Sequence, residues 1–222
     1  MKLLAIDTST ELATVALQVN DELYTAEQDS QKTHAQLLLP MVDRLMVDSG
    51  VSMNQLDGIV FGSGPGSFTG LRIACSVAKG LAYAHNLQLT PVSSLDAIAY
   101  AVRQKNEMSD ASILAVLDAR MHEMYWSFFS KEQYIGNARV DPVKSIELSN
   151  QPSIILAGVG IDLYWPDFPD AIKTQVVNKL TMYPHAAAMI QLAQKAQIKP
   201  VSVAQAQPVY VRNQVTQGDS RG

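Results

Sequence analysis

Three short segments of this chain carry residue types that could do chemistry. Asp7-Thr8-Ser9-Thr10 follows directly on an apolar run, Leu3 to Ile6. A strand-end turn of that kind can cradle phosphate with backbone N–H groups and hydroxyls, and its Asp can hold a metal through water. The same side chains can equally satisfy backbone donors in an ordinary turn. The second segment is glycine-rich, Gly62-Ser63-Gly64-Pro65-Gly66-Ser67-Phe68-Thr69-Gly70. It lacks the closing Lys-Ser or Lys-Thr of a P-loop and departs from G-x-G-x-x-G at Ser67 or Thr69. Pro65 stands where a nucleophile elbow needs its first glycine. What is left is a permissive turn feeding a helix. Its free N–H groups could meet an anion or a partner, or the turn could simply let helix and sheet pack closely. The third segment, Asp118-Ala119-Arg120 with Glu123 and Tyr125, could be a binding edge, although a local Arg120–Glu123 ion pair explains it as well.

Other reactive side chains are isolated. His34, His85, His122 and His185 form no H-x-x-x-H pair, so no helical metal site is readable. Cys75 is the only cysteine, which excludes an intrachain disulfide and a multi-cysteine metal site. It reads as a buried filler. No Ser/His/Asp set is identifiable by spacing.

These segments need elements to position them. Leu3–Ile6, Ala13–Val19 and Glu22–Ala26 read as strands, the last two joined by an Asn20-Asp21 turn. Thr33 to Gln36 has capping-box spacing, and Leu37, Leu38, Met41, Val42, Leu45 and Met46 recur at helical spacing up to Gly50. Pro40 inside this helix is expected to kink it. A strand Leu56–Phe61, a helix from about Leu71 to Ala84, a strand Leu87–Val92 and a helix Leu95–Val102 follow. In the Leu71 helix, Gly70, Ala74, Ala78 and Ala82 form a row of small residues, and Ser76, Gly80 and Ala84 a second. Such rows let another helix approach, or let this one lie close on its own sheet.

The polar stretch Gln104 to Asp110 marks a boundary, giving lobes 1–104 and 105–222. Beyond it, Ile113–Asp118 and Met124–Phe129 repeat the opening strand–Asp–strand order, which suggests a duplicated α/β unit. After Gly158-Val159-Gly160 the pattern weakens until an amphipathic helix, His185–Gln197.

Composition narrows the function classes. Net charge is -4 and the 17 basic residues are scattered, Arg103 with Lys105 being the densest group, which argues against extended nucleic-acid binding by this chain alone. Charged residues make up 17%, below the usual ~25%, leaving neutral surface compatible with a permanent partner. The first residues lack a signal-peptide core, and no stretch nears the ~18 apolar residues that span a bilayer. A cytoplasmic location without membrane attachment is the expectation.

The order of the motifs resembles the TsaB (YeaZ) family. The resemblance rests on Ala5-Ile6-Asp7-Thr8-Ser9-Thr10, on His34 with Leu38-Leu39-Pro40, and above all on Gly64-Pro65-Gly66-Ser67-Phe68-Thr69-Gly70-Leu71-Arg72. Leu117-Asp118-Ala119-Arg120 through Glu123 and Tyr125-Trp126, and Pro208-Val209-Tyr210-Val211-Arg212, extend it over the whole chain. It implies an α/β ASKHA (actin-like ATPase, RNase H-like) fold, two lobes each with a mixed β-sheet flanked by helices. It also implies a non-catalytic scaffold or activator of TsaD, the paralogue that puts threonylcarbamoyl on adenosine of tRNA (t6A). The TsaE ATPase joins that complex, tRNA is met indirectly, and the chain pairs with itself when alone.

The paralogue's metal-binding histidine pair falls by position on Ser94 and Ile98, so no metal is expected. No cofactor is required by this chain, ATP or ADP belonging to the complex, and Asp7 and Thr8 mark a degenerate nucleotide cleft. The implied partner interface is the Leu37, Leu38, Met41, Leu45 helix with Gly70, Ala74, Ala78 and Ala82. Two alternatives stay open: a stand-alone ASKHA-fold kinase or acyltransferase using Asp7 with Asp118 as base, and a glycoprotease-like metallopeptidase.

Overall fold

In a computed structural model of the chain, residues 1–29, 34–105, 111–149 and 152–211 are described. The first half forms β1 (Lys2–Asp7), β2 (Leu12–Val19), β3 (Glu22–Asp29), α1 (His34–Ser49), β4 (Gly58–Gly64), α2 (Phe68–His85), β5 (Leu89–Ser93) and α3 (Ser94–Lys105). The second forms β6 (Ser112–Asp118), β7 (Glu123–Phe129), β8 (Arg139–Pro142), β9 (Ile154–Gly158), α4 (Ile161–Tyr164), α5 (Asp170–Lys173), β10 (Val176–Thr181) and α6 (Ala186–Lys195).

The duplication is real. One sheet runs β3-β2-β1-β4-β5 and the other β8-β7-β6-β9-β10. In each, the first three strands form an antiparallel meander and the last two add in parallel beside the first. The Asn20-Asp21 turn joins β2 to β3 with Val19 opposite Glu22 and Asn20 at φ 56°.

Alternation along the strands decides which helices cover each face. Leu4, Ile6, Val15, Leu17, Ile59 and Phe61 of the first sheet point to α1 and α2. Ala5, Ala16 and Val60 point the other way, to α3 and α6, where they meet Ile113, Ala115, Leu117 and Ala157 of the second sheet. Small residues on these inner faces leave room for two helices between the sheets. Among the described residues, the outer face of the second sheet, Leu114, Val116, Trp126 and Leu156, is covered by short segments carrying Val143, Ile146, Tyr164 and Phe168. No counterpart of α1 or α2 occurs among its described residues.

Several boundaries differ from expectation for local reasons. Helix α2 begins at Phe68, three residues before Leu71, because the Ser67 hydroxyl caps it by accepting the Gly70 N–H at 3.3 Å. It ends at Asn86, left-handed at φ 53°. Helix α1 continues through Pro40 and stops before Gly50, at φ 64°. Its expected cap, Thr33, lies outside the described residues.

Candidate functional site

The strand ends β1–β2 and β6–β7 face each other across a cleft of about 680 Å³. Ser9, Thr10 and Glu11 line one side, Asp118, Ala119, Arg120 and Tyr125 the other, and the start of α2 the base, with His34 of α1 beside it. Asp7 and Thr8 are not among the lining residues. They lie beneath, and the glycine-rich loop seals them in.

Each contact in that seal needs a glycine. A Cβ on Gly62 would stand 1.7 Å from Asp7 Oδ2, one on Gly66 2.3 Å from the Ser9 carbonyl oxygen, and one on Gly70 1.8 Å from the Thr8 carbonyl oxygen. The Thr8 hydroxyl donates to the Gly70 carbonyl at 2.7 Å, and Ser67 N–H donates to the Ser9 carbonyl at 2.7 Å. Asp7 Oδ1 accepts from both the N–H and the hydroxyl of Ser9, at 3.0 and 2.8 Å, while Oδ2 is buried without a partner. Burial pushes the Asp7 carboxyl up to about 7, against the lowering effect of the two Ser9 hydrogen bonds. The Asp7–Thr8 turn is therefore covered by the chain's own loop. That plug was not foreseen. Three glycines four residues apart are its trace in the sequence, but nothing there says which turn they cover.

The equivalent turn of the second sheet is open. Asp118 Oδ1 accepts the Arg120 N–H at 2.7 Å and the Tyr164 hydroxyl at 3.1 Å. Arg120, Met121 and His122 are all left-handed, at φ 65°, 55° and 58°, which turns the Arg120 side chain back on Asp118 at 3.0 Å. Arg120 thus pairs with Asp118 within this turn. Ser94 and Ile98 are both fully buried on α3, and no group of three His, Cys, Asp or Glu side chains suited to a metal occurs among the described residues.

The interface positions require a correction. Leu37, Leu38, Met41 and Leu45 belong to the first core, and Gly70, Ala74, Ala78 and Ala82 are buried with them, the three alanines at 0% exposure. This small row lets α2 lie close on β1 and β4, so it is not a free surface. The second row, Ser76, Gly80 and Ala84, faces outward beside Tyr83, which is 82% exposed. On α1 the outward positions include Leu39, Pro40, Asp43 and Val47, the last 72% exposed. A Cβ on Gly80 would meet nothing within 4 Å.

The late Pro208–Val211 motif meets the glycine loop, an association the sequence did not disclose. Val209 N–H donates to the Ser63 carbonyl at 2.7 Å, and Arg72 Nε donates to the Tyr210 hydroxyl at 3.0 Å. The Arg72 guanidinium also lies 3.7 Å from the Phe68 ring centre.

Two sheets of the same topology about a shared helical layer, with a cleft between equivalent hairpin turns, define a duplicated α/β protein of the ASKHA type. The sequence model of the family described as TsaD, tRNA N6-adenosine threonylcarbamoyltransferase, matches residues 25–213. A Haemophilus influenzae protein named tRNA threonylcarbamoyladenosine biosynthesis protein TsaB is 32% identical over 97% of this chain and 95% of its own length. The Escherichia coli protein of that name is 33% identical over 97% and 96%. The solved structure of YeaZ from Pseudomonas aeruginosa superimposes with a TM-score of 0.84 at 34% identity, covering 94% of this chain and 99% of that one. The chain belongs to the TsaB (YeaZ) family, within the broader group that the TsaD model describes.

Proposed function

We propose that the chain is a non-catalytic subunit in the biosynthesis of tRNA threonylcarbamoyladenosine, which binds the TsaD-type transferase through the outer face of α1 and α2. The observation that carries this reading is the outward row Ser76, Gly80 and Ala84, flanked by exposed Tyr83 and Val47. A helix with an open glycine at its centre offers its backbone to a second helix. The same face pairs two copies of the chain when no partner is present, since self-complementary pairing covers one patch on each copy. The sealed Asp7–Thr8 turn supports the absence of catalysis and of any cofactor in this chain. Lobes 1–104 and 105–222 then divide the work, the first holding the partner. TsaE joins at the level of the complex, tRNA is met through TsaD, and the complex is cytoplasmic.

Reconstitution tests this. The chain, TsaD and TsaE from one organism are mixed with tRNA and the t6A substrates, and modification is measured with each component left out. Modification that requires this chain, with no ATP bound by the chain alone in calorimetry, is the expected result. A second reading is a stand-alone nucleotide-dependent enzyme, favoured by the open Asp118–Arg120 side of the cleft. Micromolar ATP binding by the isolated chain, lost in Asp118→Ala, would establish it instead. A metallopeptidase is not proposed, because Ser94 and Ile98 stand where its histidine pair would be.

A further inference from the structure

The connection between β7 and β8 lies along one stripe of α3. Asp96, Tyr100 and Arg103 are spaced i, i+4, i+7 and so share a helix face. Each holds one residue of the connection, in antiparallel order. Asp96 Oδ1 accepts the Gly136 N–H at 3.1 Å, the Tyr100 and Tyr134 rings lie 6.0 Å apart, and Arg103 donates to the Ser130 carbonyl. Gly136 alone permits this approach: a Cβ there would stand 2.1 Å from Ser127 Oγ and 2.7 Å from the Phe129 ring. The connection also walls a cavity of about 240 Å³ whose other sides are Ser63, Gly64 and Pro65 of the glycine loop and Val209 of the late motif.

We propose that residues 130–138 are a latch closed on α3 through Asp96, and that it opens locally, with both sheets intact, as pH rises past neutrality. Asp96 is 5% exposed, and its carboxyl's hydrogen-bond partners, the Gly136 amide and Ser93, carry no charge. Burial raises its pKa to about 7 against those two bonds. Other titratable groups on the packed elements are engaged elsewhere or turned outward. Arg103 points to Ser130, Lys195 of α6 lies 5.9 Å over the Tyr134 ring, Arg139 of β8 lies 5.3 Å over Trp126, and Lys131 and Glu132 are exposed. An ionised Asp96 keeps only these uncharged partners in the closed latch and gains water by leaving it. With 3.8 for the open state and about 7 for the closed one, the opening constant grows about tenfold between pH 6 and pH 8.5. The inference does not depend on the subunit reading.

Hydrogen exchange of the full chain, followed by mass spectrometry at pH 6 and pH 8.5 and corrected for intrinsic rates, reads the opening of 130–138 directly. In the native protein, protection of this segment is expected to fall about tenfold at the higher pH while β6 and β9 stay protected. Asp96→Asn keeps an acceptor for Gly136 N–H and should hold the latch closed at both pH values. Gly136→Ala should open it at both. Equal protection of the native latch at the two pH values overturns the proposal. So does a tenfold change that survives Asp96→Asn, or one shared by β6 and β9.

Discussion

Replacing Gly80 by Trp separates the proposed interface from the fold. Gly80 lies in the interior of α2, exposed, with open space where a side chain would begin. Glycine costs a helix interior about 1 kcal/mol relative to Ala, and Trp only part of that, so the isolated chain should be unchanged or about 0.5 kcal/mol more stable. The indole, however, would stand in the row through which a second helix approaches. Overpacking of a close contact costs about 1–3 kcal/mol, which weakens association about 5- to 160-fold. The assay pairs thermal denaturation with calorimetric titration of TsaD and a light-scattering mass for the chain alone. The expected pattern is an unchanged or higher Tm, weaker TsaD binding and loss of self-pairing. Ala78→Trp is the control, because Ala78 has 0% exposure against the sheet and its replacement should lower Tm first. Gly80→Trp binding TsaD within twofold of the native chain would refute the assignment of the outer row.

Three further outcomes follow from the plug and the late motif. Gly70→Ala places a Cβ 1.8 Å from the Thr8 carbonyl oxygen, backbone that cannot swing away, and should cost about 3 kcal/mol or more in urea denaturation. The folded-state pKa of Asp7, about 7, lies above its unfolded 3.8, so its contribution is greatest below pH 4 and is lost as pH rises through 7. Asp7→Asn should therefore flatten part of the fall in urea-derived stability between pH 5 and pH 8, by at most about 3 kcal/mol. Arg72→Ala removes the contacts with Phe68 and Tyr210 and should cost about 1 kcal/mol in Tm-derived stability, with earlier proteolytic cleavage near Pro208.

Much of the first sheet was legible because its strands are short apolar runs with sharp punctuation: Leu3–Ile6 before Asp7, the Asn20-Asp21 turn, the run into Gly62. The second sheet was harder. Strand β10, Val176–Thr181, alternates half-buried with exposed residues at a sheet edge, and α4 and α5 are four residues each, too short to show a helical period. The candidate site was legible only in parts. Asp7-Thr8-Ser9-Thr10 and the glycine loop each stood out, yet the loop's covering of that turn is a contact across some sixty residues, which local pattern does not encode. The small rows posed a problem of direction. Four-residue spacing announces that something comes close to α2, but the sheet decides that Ala74, Ala78 and Ala82 meet β-strands while Ser76 and Gly80 look outward.

The position of α6 has a consequence for how the protein is made. Ala5, Ala16 and Val60 are covered on their inner side by Met189, Ile190 and neighbouring residues of a helix that starts at Ala186. On the ribosome, β1, β2 and β4 emerge more than a hundred residues before that cover. A nascent first half therefore carries an apolar face that α3 covers only in part, the state in which chains aggregate or recruit chaperones. A fragment ending at residue 104 should inherit that exposure permanently, and supplying residues 186–211 in trans should restore its solubility if this helix is what the face lacks.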